Sequence, residues 1–288
     1  MVWKQWLQRF LLQQAKEQVA SRTMDAATPA SSPAAESNTV DVAIVIGEKA
    51  QTGSLLDCLT EVVRIHTKNF QLYRGNLAER RILVAQVSGD AVAAAGATKE
   101  LIRAHKPRWV IAAGFSVALR ADLHQDSLLV ASQVIDENGQ KLNIDVRSAA
   151  FQNDVFTVGC VYTCSQIPES KDARIDVATR YKADVADTTS MGIAAACATS
   201  DTPCLVIRVV RQQLEDQTVV ELLHSGAQPS FPGRIGALIG GTFRRPGTAR
   251  DWYRDQQAAL SAADALADFL RGVICRWLSV KSPRKPSG

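Results

Sequence analysis

The sequence predicts an α/β protein with a three-layer αβα arrangement, in which a mixed, mostly parallel sheet is flanked by helices. Three observations predict it. Short all-apolar runs of strand length recur along the 288 residues, most of them end at a glycine or a polar turn, and segments with helical spacing separate them. Strands covered on both faces read as continuous apolar runs, and parallel neighbours need a long crossover, most often a helix.

The elements follow in order. Val42–Ile46 is an all-apolar strand closing on Gly47, and Leu55–Ile65 has helical spacing. Arg81–Val87 is a second buried strand, ended by Ser88-Gly89; Ala91–His105 is an Ala-rich helix; Trp109–Ala113 is a third strand, ended by Gly114. Ser127–Val134 and Lys141–Asp145 flank Asn138-Gly139, a pair that favours the left-handed backbone of a hairpin turn. Asp154–Val161 reads as a strand, Asp172–Tyr181 and Thr189–Thr199 as helices, and Pro203–Val210 as a last buried strand. Ala249–Leu278 reads as one long closing helix, with Gly272 as the place where it would break.

Outside this pattern, residues 1–22 carry Trp3, Trp6, Leu7, Phe10 and Leu11 on one stripe of a short amphipathic helix. Residues 23–39 are rich in Ala, Ser, Thr and Pro without periodicity, which is the composition of a flexible linker. The folded domain is expected over residues 40–279, followed by a basic tail at 280–288.

Composition excludes several classes. With 46% hydrophobic and 22% charged residues the chain is an ordinary globular one. No apolar run approaches the ~18 residues of a transmembrane helix. Arg271, Arg276, Lys281, Arg284 and Lys285 give residues 271–288 a charge of +5 without an acid; against a whole-chain charge of +4, the body sums to −1. A near-neutral body gives no case for nucleic-acid binding. The six cysteines form no CxxC pair and read as buried reduced thiols, which points to a cytoplasmic protein. The N-terminal stretch, broken by Gln5, Gln8 and Arg9, does not read as a secretory signal.

Ligands of mostly parallel sheets collect at the carboxyl ends of the strands. That places Gly47-Glu48, Ser88-Gly89, Gly114-Phe115-Ser116, Thr163–Ser165 and Arg211-Gln212 around one candidate pocket. The common chemical signatures, a GxxxxGK[ST] phosphate loop, GxGxxG after the first strand, HExxH and GxSxG, are missing. His66, His105, His124 and His224 are isolated, and no metal site is expected.

Four segments, in order, carry a resemblance: Ile44–Leu56 (IVIGEKAQTGSLL), Val87–Thr98 (VSGDAVAAAGAT), Pro107–Leu119 (PRWVIAAGFSVAL) with Asp126–Val134, and Ala183–Val210 (ADVADTTSMGIAAACATSDTPCLVIRVV). Together the chain resembles the nucleoside phosphorylase family that includes the methylthioadenosine/S-adenosylhomocysteine nucleosidases, over about residues 41–223. The resemblance implies a homodimer, a nucleoside-like ligand held by Gly47, Ser88, Gly89, Gly114, Phe115, Ser116, Thr188, Thr189, Arg208 and Arg211, and no cofactor beyond phosphate as a co-substrate. Family nucleosidases cleave an N-glycosidic bond through a ribosyl cation-like transition state. They use an acid that protonates the leaving purine, a Glu on the ribose hydroxyls and a Glu that activates water.

The departures fall on those acids. By resemblance the leaving-group acid is Gln212, the ribose Glu is Thr189 and the water-activating Glu is Thr52, while Asp187 matches an acid of the family's segment. Gln has no titratable proton, and Thr lacks the charge that steadies a developing cation. Each lost acid–base role is worth about 10²–10⁴ in rate. Glu48, Asp187, Glu215 and Asp216 are the carboxylates that remain as replacements. Pro232–Ala249, with Arg244-Arg245-Pro246-Gly247, is similar to the tail of hopanoid-associated phosphorylases, which act near membranes. Two readings stay open: a phosphorylase or nucleosidase acting on a purine-type nucleoside with altered groups, and an inactive relative that binds a nucleoside-like ligand or a protein partner. Residues 1–22 and the basic C-terminus add an expected peripheral membrane contact.

Overall fold

The computed structural model describes residues 40–47, 49–146, 156–216 and 248–277. The helix of 1–22, the linker of 23–39, Glu48, the Arg244–Gly247 stretch and the tail of 280–288 lie outside the described residues.

Fifteen elements follow one another among the described residues. They are β1 (Val42–Ile46), α1 (Lys49–Leu56), β2 (Thr60–His66), β3 (Gln71–Leu77), β4 (Arg80–Gln86), α2 (Ala91–His105), β5 (Trp109–Ala118) and β6 (Leu128–Asp136). Then come β7 (Lys141–Asn143), β8 (Thr157–Thr163), α3 (Lys171–Tyr181), β9 (Val185–Asp187), α4 (Ser190–Thr199), β10 (Cys204–Gln212) and α5 (Thr248–Trp277).

The strands run β10-β6-β8-β9-β5-β1-β4-β3-β2, and β10 also pairs with β5. That second pairing closes β5, β10, β6, β8 and β9 into a ring, from which β1, β4, β3 and β2 extend as an open wing. The centre is parallel: β1 lies between β4 and β5, with Ile44 opposite Val84 and Ile111. All five residues of β1 are buried, as its unbroken VAIVI run requires.

Alternation along the strands divides the core. Val45, Leu83, Val110, Val206 and Val210 pack with Ala94, Ala97 and Leu101 of α2 and with Met191, Ile193 and Cys197 of α4. Ile44, Ile82, Ile111, Leu205 and Val209 pack instead with Leu55 of α1 and with Leu266, Leu270 and Ile274 of α5. A smaller cluster of Leu119, Ile135, Tyr162 and Cys164 packs with Val177, Ala178 and Tyr181 of α3. Gly192 lets α4 meet the start of α2, since a Cβ there would lie 1.9 Å from the Ala91 carbonyl oxygen.

Several expectations need correction. The Leu55–Ile65 stretch is helical only to Leu56; the β-branched Thr60-Glu-Val-Val-Arg-Ile run then forms β2, antiparallel to β3. β3 itself and the three-residue β9 have no counterpart in the sequence reading. Gly114 does not end its strand: Gly114, Phe115 and Ser116 continue β5, paired with Arg208, Val209 and Val210. Likewise β10 runs on through Arg211 and Gln212. α5 passes Gly272 unbroken, with Arg276 Nε donating to the Gly272 carbonyl at 3.3 Å. The Asn138-Gly139 turn does join β6 to β7, with Gly139 at φ +79°.

Candidate functional site

The carboxyl ends of β1, β4, β5 and β10 converge near the β9–α4 turn, but the sheet sorts their side chains onto two faces. Arg208 shares the parity of Val206 and Val210 and points toward α4; Phe115 packs in the cluster on the α1/α5 side. Arg211 follows Phe115, its guanidinium carbon 5.4 Å from the ring centroid. Phe115 is therefore set on the other face of the sheet from Arg208.

On the α4 side, Asp187 ends β9 just before α4 begins. Its Oδ2 accepts from the backbone N–H groups of Thr189 (3.2 Å) and Ser190 (2.9 Å), and from the hydroxyls of Thr189 (3.3 Å) and Ser190 (2.9 Å). An anion on the first free amides of a helix complements both their donors and the helix dipole. Thr163 donates to Oδ1 at 2.8 Å, and its oxygen accepts the Met191 N–H at 3.0 Å.

Arg208 completes the cluster. Its Nη2 lies 2.6 Å from Asp187 Oδ2, with both side chains 2% exposed. Nε and Nη2 donate to Ser190 Oγ at 2.9 and 2.7 Å, and Nη2 also to Thr189 Oγ1 at 3.1 Å. Burial pulls the Arg208 guanidinium below its ordinary range, and the Asp187 carboxylate opposes that pull. Arginine stays charged in such a setting, so the pair is a buried ion pair with no net charge.

Gln212 is held elsewhere. Arg174 of α3 is fully buried; its Nη2 donates to Gln212 Oε1 at 3.2 Å, its Nη1 to the Gln213 carbonyl at 2.6 Å and its Nε to the Pro168 carbonyl at 3.0 Å. Burial lowers the Arg174 pKa, and Asp216 acts against that. Beyond the strand, Glu215 pairs with Lys171 at 2.7 Å on the surface and Asp216 accepts the Gln213 N–H at 2.7 Å. Every described carboxylate that the sequence offered as a replacement acid thus has a structural partner.

The remaining site residues are placed as follows. Ser116 is buried and donates to the Val209 carbonyl at 3.2 Å. Thr52 is also buried. Thr188 and Gly47 are half-buried, and Ser88 and Gly89 are exposed. Gly89 needs its missing side chain, having φ +130°, while Asp90 beside it caps α2 by accepting from the Val92 and Ala93 N–H groups. Val45, Ile46, Gly47, Val87, Ala94, Thr189 and Ile193 line a small depression at the carboxyl ends of β1 and β4, beside α2 and the start of α4. Among the described residues no group of three or more His, Cys, Asp or Glu is placed to hold a metal ion.

Sequence reasoning missed Arg174, Ser190 and Gln51. A buried arginine on a mostly polar helix is indistinguishable by pattern from a solvated one. Ser190 had one signal, its place three residues after Asp187 where a helix begins, and Gln51 had none.

The sequence profile of the Phosphorylase superfamily matches residues 41–228. The chain belongs to the phosphorylase superfamily. Solved structures with the superfamily fold agree. The 5′-methylthioadenosine/S-adenosylhomocysteine nucleosidase of Campylobacter jejuni superposes with a TM-score of 0.65 at 12% identity, over 82% of this chain and 99% of that one. The same nucleosidase from Neisseria meningitidis, in complex with methylthio-immucillin-A, gives 0.64 at 16% over 82% and 99%. Futalosine hydrolase of Helicobacter pylori gives 0.64 at 15% over 82% and 97%. At these identities the likeness is one of fold. No curated protein sequence matches the chain.

Proposed function

We propose that this phosphorylase-superfamily protein is a non-cleaving relative that holds a nucleoside-like ligand. One observation carries the reading: Asp187 is consumed as the counterion of Arg208. Its partner positions support it. Thr189 carries a hydroxyl already bonded to both ions, and Gln212 has no acidic proton and is gripped by Arg174. No group so arranged can protonate a leaving purine.

Incubation with adenosine, methylthioadenosine and inosine, with and without phosphate, tests the first half, and calorimetry with the same compounds tests the second. Saturable binding without release of free base is expected. Release of base at a rate proportional to enzyme overturns the reading. In a second reading the chain engages a protein partner instead; absence of binding to all three compounds selects it. The homodimer belongs to both readings and is checked by light scattering. So does membrane contact through residues 1–22 and the +5 tail, supported by attraction of about 1 kcal/mol per basic residue at an anionic surface.

A further inference from the structure

The two segments proposed to touch a membrane join the folded domain at its two chain ends, and the sheet fixes where those ends lie. Val40 leads into β1. Its carbonyl accepts the Arg108 N–H at 3.1 Å, the Asp41 N–H donates to the Arg81 carbonyl at 3.0 Å, and the Val110 N–H donates to the Pro203 carbonyl at 2.9 Å. The entries of β4, β1, β5 and β10 thus stand in one row, about 15 Å wide at the usual strand spacing. Residues 1–39 precede Val40 and so meet the domain at this row.

The other chain end returns to it. Ser261 of α5 donates to Asp126 Oδ2 at 2.6 Å, and the Asp126 N–H donates to the Val210 carbonyl near the carboxyl end of β10. Further along, Ser54 of α1 donates to Asp264 at 2.9 Å. Cys58, two residues before β2, has Asp268 and Arg271 as charged neighbours. β2 opens with Thr60 opposite Asn76, which itself pairs with Arg81 at the entry of β4. α5 therefore runs back along the sheet, about 24 Å from Ser261 to Trp277, and delivers residues 278–288 to the row of strand entries.

Two weak membrane-binding segments reinforce each other only when both can meet one surface at once. Leaving from the same end of the domain, these two can. The charges agree in sign. Exposed Lys106 and Arg108, with half-buried Arg80 and Arg81, stand at the entries and outnumber Asp41, Glu79 and Asp201 there. The exposed turns at the carboxyl ends carry Asp90, Asp122, Glu215 and Asp216; only Asp122 and Glu215 of these are paired with a base, Arg120 and Lys171. We infer that the face formed by the strand entries is turned toward an anionic bilayer, held there by residues 1–22 and the basic tail, and that the carboxyl ends of the strands, with Asp187 and Arg208, face water. This rests on the membrane contact proposed above and adds a direction to it. A ligand then reaches the site from water, not from within the bilayer.

The test uses the full chain with vesicles of phosphatidylcholine, alone or mixed with phosphatidylserine, and reads sedimentation and amide hydrogen exchange. Binding to the mixed vesicles should slow exchange at residues 78–81, 106–108 and 200–203 and leave 87–90 and 212–216 unchanged. Lys281→Gln combined with Arg284→Gln and Lys285→Gln should weaken binding about 100-fold, and Lys106→Gln combined with Arg108→Gln about 30-fold, at about 1 kcal/mol per base close to the surface. Wild-type binding that slows exchange at the carboxyl-end turns, or at neither end, overturns the direction while leaving the membrane contact standing. So does unchanged binding by the Lys106/Arg108 variant. A wild type that does not sediment with either vesicle ends the membrane contact, and the direction with it.

Discussion

Replacing Asp187 by Asn separates a structural counterion from a catalytic carboxylate. At 2.6 Å the ion pair's attraction is about 6 kcal/mol for an effective dielectric constant of 20. Most of that offsets the desolvation of two buried ions, and removing one partner of such a pair costs about 3–5 kcal/mol, because the other charge is left uncompensated. Asp187→Asn keeps the shape. Its amide oxygen serves best on the Oδ2 side, where two backbone N–H groups and Arg208 converge, which sets the amide NH₂ against the Thr163 hydroxyl. Urea unfolding followed by circular dichroism should show a loss within that range, and Asp187→Asn combined with Arg208→Met should lose less than the two single losses added. A loss under about 1 kcal/mol for Asp187→Asn, the scale of a surface pair, would refute the assignment of Asp187 as the ion that holds Arg208.

Further outcomes follow from other contacts. Gln212→Glu puts a carboxylate on Arg174 in nearly the same volume; its pKa should fall below the ordinary carboxylate range, so the added stability is present above about pH 4 and lost as pH drops through the lowered value, with no base released from adenosine. Gly192→Ala drives a methyl into the Ala91 carbonyl and should cost about 3 kcal/mol or more in thermal unfolding, at the upper end of overpacking effects. Burial pushes the Cys160 thiol up to about 11 and, with help from Asp187, the Cys164 thiol up to about 12, against an ordinary 9.0. The fold therefore binds more protons than the unfolded chain between those values, so stability should fall as pH rises past 9, and iodoacetamide at pH 8 should label these two cysteines only after denaturation. Sedimentation with anionic vesicles should fall when residues 1–39 and 278–288 are removed; equal sedimentation would end the membrane proposal.

Much of the architecture was legible because its strands are unusually pure. VAIVI can be little else than a strand buried on both faces, and ILVA within β4 and LVIRVV within β10 read the same way. The wing was not, because Thr60–His66 is an edge strand with mostly exposed residues, and its apolar positions fit a helical and an extended period equally well. The site was legible in residue type and misleading in arrangement. Glycine and serine after an apolar run signal a turn, and at Ser88-Gly89 they make one. At Gly114 the strand instead continues, because β10 supplies a full ladder opposite it and the glycine is needed to admit Arg208. The assignment of Gln212 to the leaving-group position came from resemblance to the family's segment, which cannot report that an arginine 38 residues earlier reaches across to hold it.

On the proposed non-cleaving reading, hydroxyls in place of the family's acids and a retained scaffold are physically connected. Carboxylates at positions 52 and 189 would each bring negative charge into a buried or half-buried place, with the desolvation cost that entails, and the Asp187–Arg208 pair has no spare positive charge to offset it. Thr189 removes the charge and completes its hydrogen bonds locally, donating to Asp187 and accepting from Arg208. Replacing acids by hydroxyls at such a centre therefore moves downhill in folding free energy while moving uphill in the barrier to glycosidic cleavage. A sequence required to cleave would be held to the strained, charged arrangement. In this chain the ion pair carries no net charge, the Thr189 hydroxyl is bonded to both ions and Gln212 accepts from Arg174. That is the arrangement the proposed non-cleaving reading expects.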